Sequence, residues 1–165
     1  MMRACLAATL WILVLLAPLS AADASCTGTG CYCTVTSTAV NFGSYNALTQ
    51  QAVYSTGNLE VSCGSDTIGD TVGYALILSM GDNGKKTQRK LASGRLTLNY
   101  NLYTDASHTA IWADGGGGTS TVTDSLTMTV LCCEIQNYTV YGRIDSGQNA
   151  APGSYTDAIV VTVSY

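Results

Sequence analysis

The fold the sequence predicts is an all-β sandwich or barrel. Three observations carry that expectation. Apolar residues recur at every second position in several short runs. Turn-forming clusters separate those runs roughly every ten residues. Beyond the first two dozen residues, no stretch carries a helical period. Composition agrees: Thr, Ser, Gly, Val and Tyr dominate, and Phe42 is the sole phenylalanine. β-branched and aromatic side chains suit a half-buried pleated surface.

Taken in order, the chain opens with Met1, Met2 and Arg3, an apolar run from Leu10 through Leu16, and the small-residue triplet Ala22-Asp23-Ala24. That order reads as a secretory signal peptide over residues 1–24, cleaved after Ala24. Its apolar run is shorter than the roughly 20 residues a spanning helix requires. A short N-terminal segment, 25–32, precedes one domain over 33–165. Val35 and Val40 lie in opposite phase, which predicts a bulge or bend near Ser37-Thr38, with Phe42 keeping the phase of Val40. Leu59, Val61 and Cys63 mark the next strand, and Val72, Tyr74, Leu76, Leu78 and Met80 a longer one. Leu96, Leu98, Tyr100 and Leu102 follow. Leu126, Met128, Val130 and Cys132 make another stripe. Tyr138, Val140 and Ile144 form the next, with Gly142 in phase between them. The last stripe is Tyr155, Ile159, Val161, Val163 and Tyr165, with Asp157 in phase near its start. Gly64-Ser65-Asp66, Gly81 through Gly84 and Gly115 through Gly118 are the loops, and Pro152-Gly153 turns the chain into its last strand. From Ile159 onward that strand has neither the charge nor the proline that usually blunts a free sheet edge.

After removal of 1–24 six cysteines remain: Cys26, Cys31, Cys33, Cys63, Cys132 and Cys133. An even set behind a signal peptide implies disulfides in an oxidising compartment. The spacings Cys31-Tyr32-Cys33 and Cys132-Cys133 are poor for structural zinc, which prefers about two to four intervening residues. Six cysteines allow 15 pairings, so the connectivity stays open.

The formal net charge is −4, which argues against a nucleic-acid partner. Lys85, Lys86, Arg89, Lys90 and Arg95 cluster, and read as a solvated loop between strands. Catalytic motifs are missing: there is no G-x-S-x-G, no H-E-x-x-H and no P-loop. The lone histidine after the leader, His108, sits among polar residues and reads as an exposed loop bystander. Asp105 and Asp114 flank Trp112 and are the one carboxylate pair that could serve glycoside chemistry, although turn-capping is the commoner role of such residues. No cofactor, no metal and no small-molecule substrate is expected.

The motifs themselves point further. Cys33-Thr34-Val35, Val40-Asn41-Phe42-Gly43-Ser44-Tyr45 and Thr56-Gly57-Asn58-Leu59-Glu60-Val61-Ser62-Cys63 open a series. Leu98-Asn99-Tyr100-Asn101-Leu102-Tyr103-Thr104-Asp105-Ala106 and Ile111-Trp112-Ala113-Asp114-Gly115 continue it. Tyr141-Gly142-Arg143-Ile144, Gly147-Gln148, Pro152-Gly153-Ser154-Tyr155-Thr156-Asp157 and Val161-Thr162-Val163-Ser164-Tyr165 close it. In order and spacing this series resembles the spore coat protein U domain family, which includes a spore coat protein and the subunits of archaic chaperone–usher pili. The resemblance implies an immunoglobulin-like antiparallel β-sandwich lacking its final strand. It implies a Cys33–Cys63 disulfide and a non-enzymatic, secreted surface subunit serving adhesion and biofilm formation. Its partners would be a periplasmic chaperone, an usher and neighbouring subunits. An incomplete sandwich exposes backbone donors, acceptors and an apolar groove that a foreign strand can fill. The acceptor edge would be the stripe Tyr155, Ile159, Val161, Val163 and Tyr165.

One departure stands out. Ser25 to Tyr32 is short, glycine-containing and poor in aliphatics, so it would make a weak donor strand. Cys26, Cys31, Cys132 and Cys133 look additional to the family's usual pair and are expected to bridge the N-terminal segment to the strand ending at Cys133. The leading functional expectation is a chaperone–usher pilus subunit. The alternative is a secreted coat or matrix protein that self-associates without pilus polymerisation. A carbohydrate-active enzyme built on Asp105 and Asp114 is third.

Overall fold

The structure is a computed structural model that describes residues 25–165; the expected leader, 1–24, lies outside the described residues. Nine strands and no helix make up the described chain. They are β1 Ser25–Cys26, β2 Tyr32–Thr38, β3 Val53–Gly64, β4 Thr71–Leu78, β5 Arg89–Ser93, β6 Leu96–Tyr103, β7 Val122–Thr127, β8 Glu134–Ile144 and β9 Val161–Ser164. The all-β sandwich expected from the sequence is what forms.

One sheet has the order β2-β3-β8-β6-β5, all antiparallel. The other is built on β4. β7 pairs with β4 from Thr71 to Leu76. A strand has only two edges, so β1, paired at Val72 and Gly73, and β9, paired from Ala75 to Leu78, share the opposite edge of β4.

The alternating stripes meet between the sheets. Leu59, Val61 and Cys63 of β3 face Val72, Tyr74, Leu76 and Leu78 of β4, with Leu98, Tyr100, Leu102, Val140, Ile144, Trp112 and Met128 completing the core. Each aliphatic side chain so buried contributes about 1.5–3 kcal/mol. Polar atoms in the core are satisfied: the Tyr74 and Tyr138 hydroxyls bond at 2.6 Å, and Tyr138 donates to Asp124 at 2.7 Å. Burial pushes both phenols above their ordinary pKa.

Four local expectations are corrected. The stripe Leu126 to Cys132 is not one strand. β7 stops at Thr127, because the Met128 N–H turns to the Asp70 carbonyl at 2.8 Å and its side chain enters the core, leaving Leu131 60% exposed. The last strand covers only Val161–Ser164; its upstream part crosses from the first sheet, where Thr156 bridges Ala92 of β5. The basic cluster contains a strand, β5, and its Arg89 is fully buried rather than solvated. His108 is half-buried, its ring 4.9 Å from that of Tyr54 and 5.2 Å from that of Tyr103.

Candidate functional site

The two sheets are bridged by side chains along one flank and leave an apolar groove open along the other. On the closed flank the loop joining β6 to β7 wedges between them. The Trp112 indole N–H donates to the Leu76 carbonyl of β4 at 3.0 Å, while its backbone N–H donates to Leu102 of β6 at 2.9 Å. Arg89 reaches from β5 to the Ser79 carbonyl (2.7 Å), the Trp112 carbonyl (2.8 Å) and the Asn101 side-chain oxygen (2.7 Å). A buried guanidinium with this many acceptors acts as a rivet between the sheets, since its fork of donors satisfies several carbonyls at once.

On the grooved flank the edges are β2 and β9, each with one partner strand among the described residues. The Val160 carbonyl accepts from the Ser79 N–H at 2.9 Å, one rung beyond the Leu78–Val161 pair. Alternate residues of an antiparallel strand point their backbone groups the same way. Thr162 and Ser164 therefore also face β4. The N–H and C=O groups of Val161 and Val163 face away from it, and among the described residues no strand pairs that edge.

Between these edges runs a groove. Its inner part, about 220 Å³, lies over the core and is walled by Thr38, Val40 and Phe42 on one side and Asp157, Ile159 and Val161 on the other. Leu59, Leu102 and Val140 form its floor. A wider part of about 990 Å³ continues between the segments 39–48 and 149–157. Val40, Phe42, Ile159, Val161 and Val163 are only partly buried while packed against the core. This is the observation that makes the groove unusual, because an apolar core normally closes over itself.

Two glycines shape the wall. A Cβ on Gly57 would stand 2.6 Å from the Thr38 carbonyl, and one on Gly142 would stand 2.6 Å from Val40 and 2.8 Å from Phe42. Their missing side chains let the chain after β2 lie directly on the inner face of β3 and β8. Gly142 sitting in phase within an apolar stripe was the sequence signal for this close approach. Asp157, likewise in phase, is held by donors: the Tyr100 hydroxyl at 2.7 Å and the backbone N–H groups of Asp82 at 2.9 Å and Ala158 at 3.0 Å. Burial first, then the Asp157 carboxylate, pushes the Tyr100 phenol well above its ordinary pKa, so it stays a donor.

The residues singled out from sequence are distributed unevenly about this groove. Ile159 and Val161 wall it, Tyr155 lines its wide part, and Val163 packs on the core beyond. Tyr165 is exposed. The Cys33 and Cys63 sulfurs are bonded across the β2–β3 pair. The expected bridge from the N-terminal segment to the strand ending at Cys133 does not form; Cys26 is bonded to Cys31, and Cys132 to its neighbour Cys133. The Tyr32 hydroxyl touches both sulfurs of that second pair, 3.1 Å from Cys132 and 3.4 Å from Cys133.

Asp105 and Asp114 are turn residues. Asp105 accepts from the Ser107 hydroxyl and the Thr109 and Ala110 amides, and these bonds hold its carboxyl far below the usual range. Asp114 is paired with Lys86 and accepts from the Gly116 amide, which lowers it too. Neither carboxyl is the raised-pKa acid that glycoside hydrolysis uses.

Comparison with known proteins bears on the whole chain. The Spore Coat Protein U domain matches residues 20–162. A curated relative, Protein U of Myxococcus xanthus, is 28% identical over 134 residues, covering 76% of this chain and 71% of the relative. Among solved structures, a chain of the CsuC–CsuE chaperone–tip adhesion subunit pre-assembly complex, from the archaic chaperone–usher Csu pili of Acinetobacter baumannii, superposes with a TM-score of 0.50. That match has 23% identity over 82% of this chain and 40% of the other, a likeness of fold.

Proposed function

The chain belongs to the Spore Coat Protein U domain family, and from that premise we propose that it is a secreted bacterial structural subunit of a chaperone–usher surface pilus, serving adhesion and biofilm formation, and not an enzyme. Residues 1–24 act as the signal peptide, the chain passes through the periplasm, and it is displayed at the cell surface. The single observation that carries this reading is the apolar groove between the two unpaired edges β2 and β9. A strand laid there would pair with the free backbone groups of Val161 and Val163 and set alternate side chains onto Leu59, Leu102 and Val140, which is β-augmentation. A periplasmic chaperone would fill the groove first and a neighbouring subunit's strand afterwards, with the usher exporting the product.

Secretion of the chain together with a chaperone of this pilus class tests the reading. We expect the two to co-purify and the amides of Val161 and Val163 to become protected from hydrogen exchange. A chain that stays alone, with those amides exchanging freely in the chaperone's presence, overturns it. A second reading, a self-associating coat or matrix protein, is favoured by the polar, aliphatic-poor Ser25–Tyr32 segment. It requires a stable assembly that forms with no chaperone.

A further inference from the structure

The segment ahead of β2 has its own place in the fold. Ser25 and Cys26 pair with Gly73 and Val72, on the β4 edge that β9 occupies further along. The Thr27 N–H donates to the Thr71 carbonyl at 3.1 Å, and the Thr71 N–H returns a bond to the Thr27 hydroxyl at 2.8 Å. The Thr29 carbonyl accepts from the Asp66 N–H at 3.3 Å and from the Ser65 hydroxyl at 3.3 Å. Gly28 and Gly30 lie against the carboxylates of Asp70 and Asp66, where a Cβ would not fit, and Gly30 has φ +71°. Finally, Cys26 is bonded to Cys31, with their Cα atoms 6.1 Å apart. Five residue steps of a β-strand would span about 16 Å. The bonded segment therefore cannot become the extended strand that a groove of the kind described above accepts.

We infer that Ser25–Cys31 is an intramolecular brace, clasped by the Cys26–Cys31 disulfide onto the free half of the β4 edge, and that the strand entering the groove comes from a different polypeptide and not from this segment of a second copy. The inference rests on the groove reading for its partner and on the brace geometry for its polarity. The partner strand has apolar side chains at alternate positions, matching the Leu59–Leu102–Val140 floor. The brace offers none: between its cysteines stand only Thr27, Gly28, Thr29 and Gly30. In an assembly, the chain takes a strand at one flank while this segment stays in cis.

Hydrogen exchange on the full, secreted, oxidised chain decides the matter. In the chain alone, the amides of Thr27 and Thr71 are expected to be protected, and in Cys26→Ser/Cys31→Ser to exchange at least tenfold faster, while Val161 and Val163 exchange freely in both. Sizing at high concentration is expected to show a monomer. Free exchange at Thr27 and Thr71 in the parent chain overturns the brace. So does a ladder of copies in which Val161 and Val163 become protected and which the double variant or deletion of 25–31 abolishes. A synthetic peptide with alternating Val and Thr supplies the control. If it fails to protect Val161 and Val163, the groove reading falls, while protection or exchange at Thr27 and Thr71 still decides separately whether the brace exists.

Discussion

The two flanks of the sandwich solve the same problem in opposite ways. Two sheets packed face to face leave a seam on each side, and water must be kept from both. On the Trp112 flank the seam is filled from within: the indole bonds the Leu76 carbonyl of β4, and the Arg89 guanidinium reaches from β5 to the carbonyls of Ser79 and Trp112. On the β2/β9 flank no strand of the described chain lies in the groove, and Val40, Phe42, Ile159 and Val161 remain partly open. The difference teaches where stability and function lie. The closed flank carries the cohesion of the fold, so the open one can stay unsatisfied until another strand arrives.

The sharpest way to break this contrast is to unseal the closed flank. Trp112→Ala removes the largest fully buried side chain and the indole donor to the Leu76 carbonyl. The expected loss is about 3–5 kcal/mol, read as a lower midpoint in urea unfolding. A loss below about 1 kcal/mol means that the seam is not held there. The corresponding change on the open flank is Gly142→Val. It forces Val40 and Phe42 off the inner face of β8, at a cost of about 1–3 kcal/mol for overpacking. Its larger effect is expected on strand uptake, with at least a tenfold drop in affinity for an alternating apolar peptide measured by titration calorimetry. Unchanged uptake with lowered stability would make the groove wall purely structural.

How much of this was legible beforehand follows from which physics is local. Period-two stripes gave β3, β4, β6 and β8, because a half-buried strand writes its two faces directly into the sequence. β7 was misread past Thr127 because Met128, Val130 and Cys132 keep the phase while the backbone has already left the sheet; only Met128 goes inward. β5 was hidden because Arg89 occupies an inward position that periodicity counts as polar. Its burial depends on carbonyls of Leu78, Ser79 and Trp112 that no local pattern brings together. The stripe of β9 and the in-phase Gly142 did mark two sides of the groove. Its other wall, Val40 and Phe42, showed only as a phase change. The pairing of Cys26 with Cys31 was invisible, since a short loop can close on itself or reach across with equal spacing.

The smallest effect tests whether the closed flank's loop is ordered by its own turns. Asp105 opens the β6–β7 loop and accepts from the Ser107 and Thr109 hydroxyls and the Thr109 and Ala110 amides. These bonds favour the ionised form, so its folded-state pKa lies below the unfolded carboxylate value of about 3.9. A depressed pKa contributes stability that is fully present above the unfolded value and is lost as pH falls through the folded one. Asp105→Asn cannot titrate and keeps only part of the acceptor set. The parent chain is therefore expected to melt slightly above the variant at pH 6, with the gap narrowing steadily as pH falls below about 4. A gap that is constant with pH would mean that the carboxylate's charge contributes nothing and that the loop is fixed by Trp112 alone.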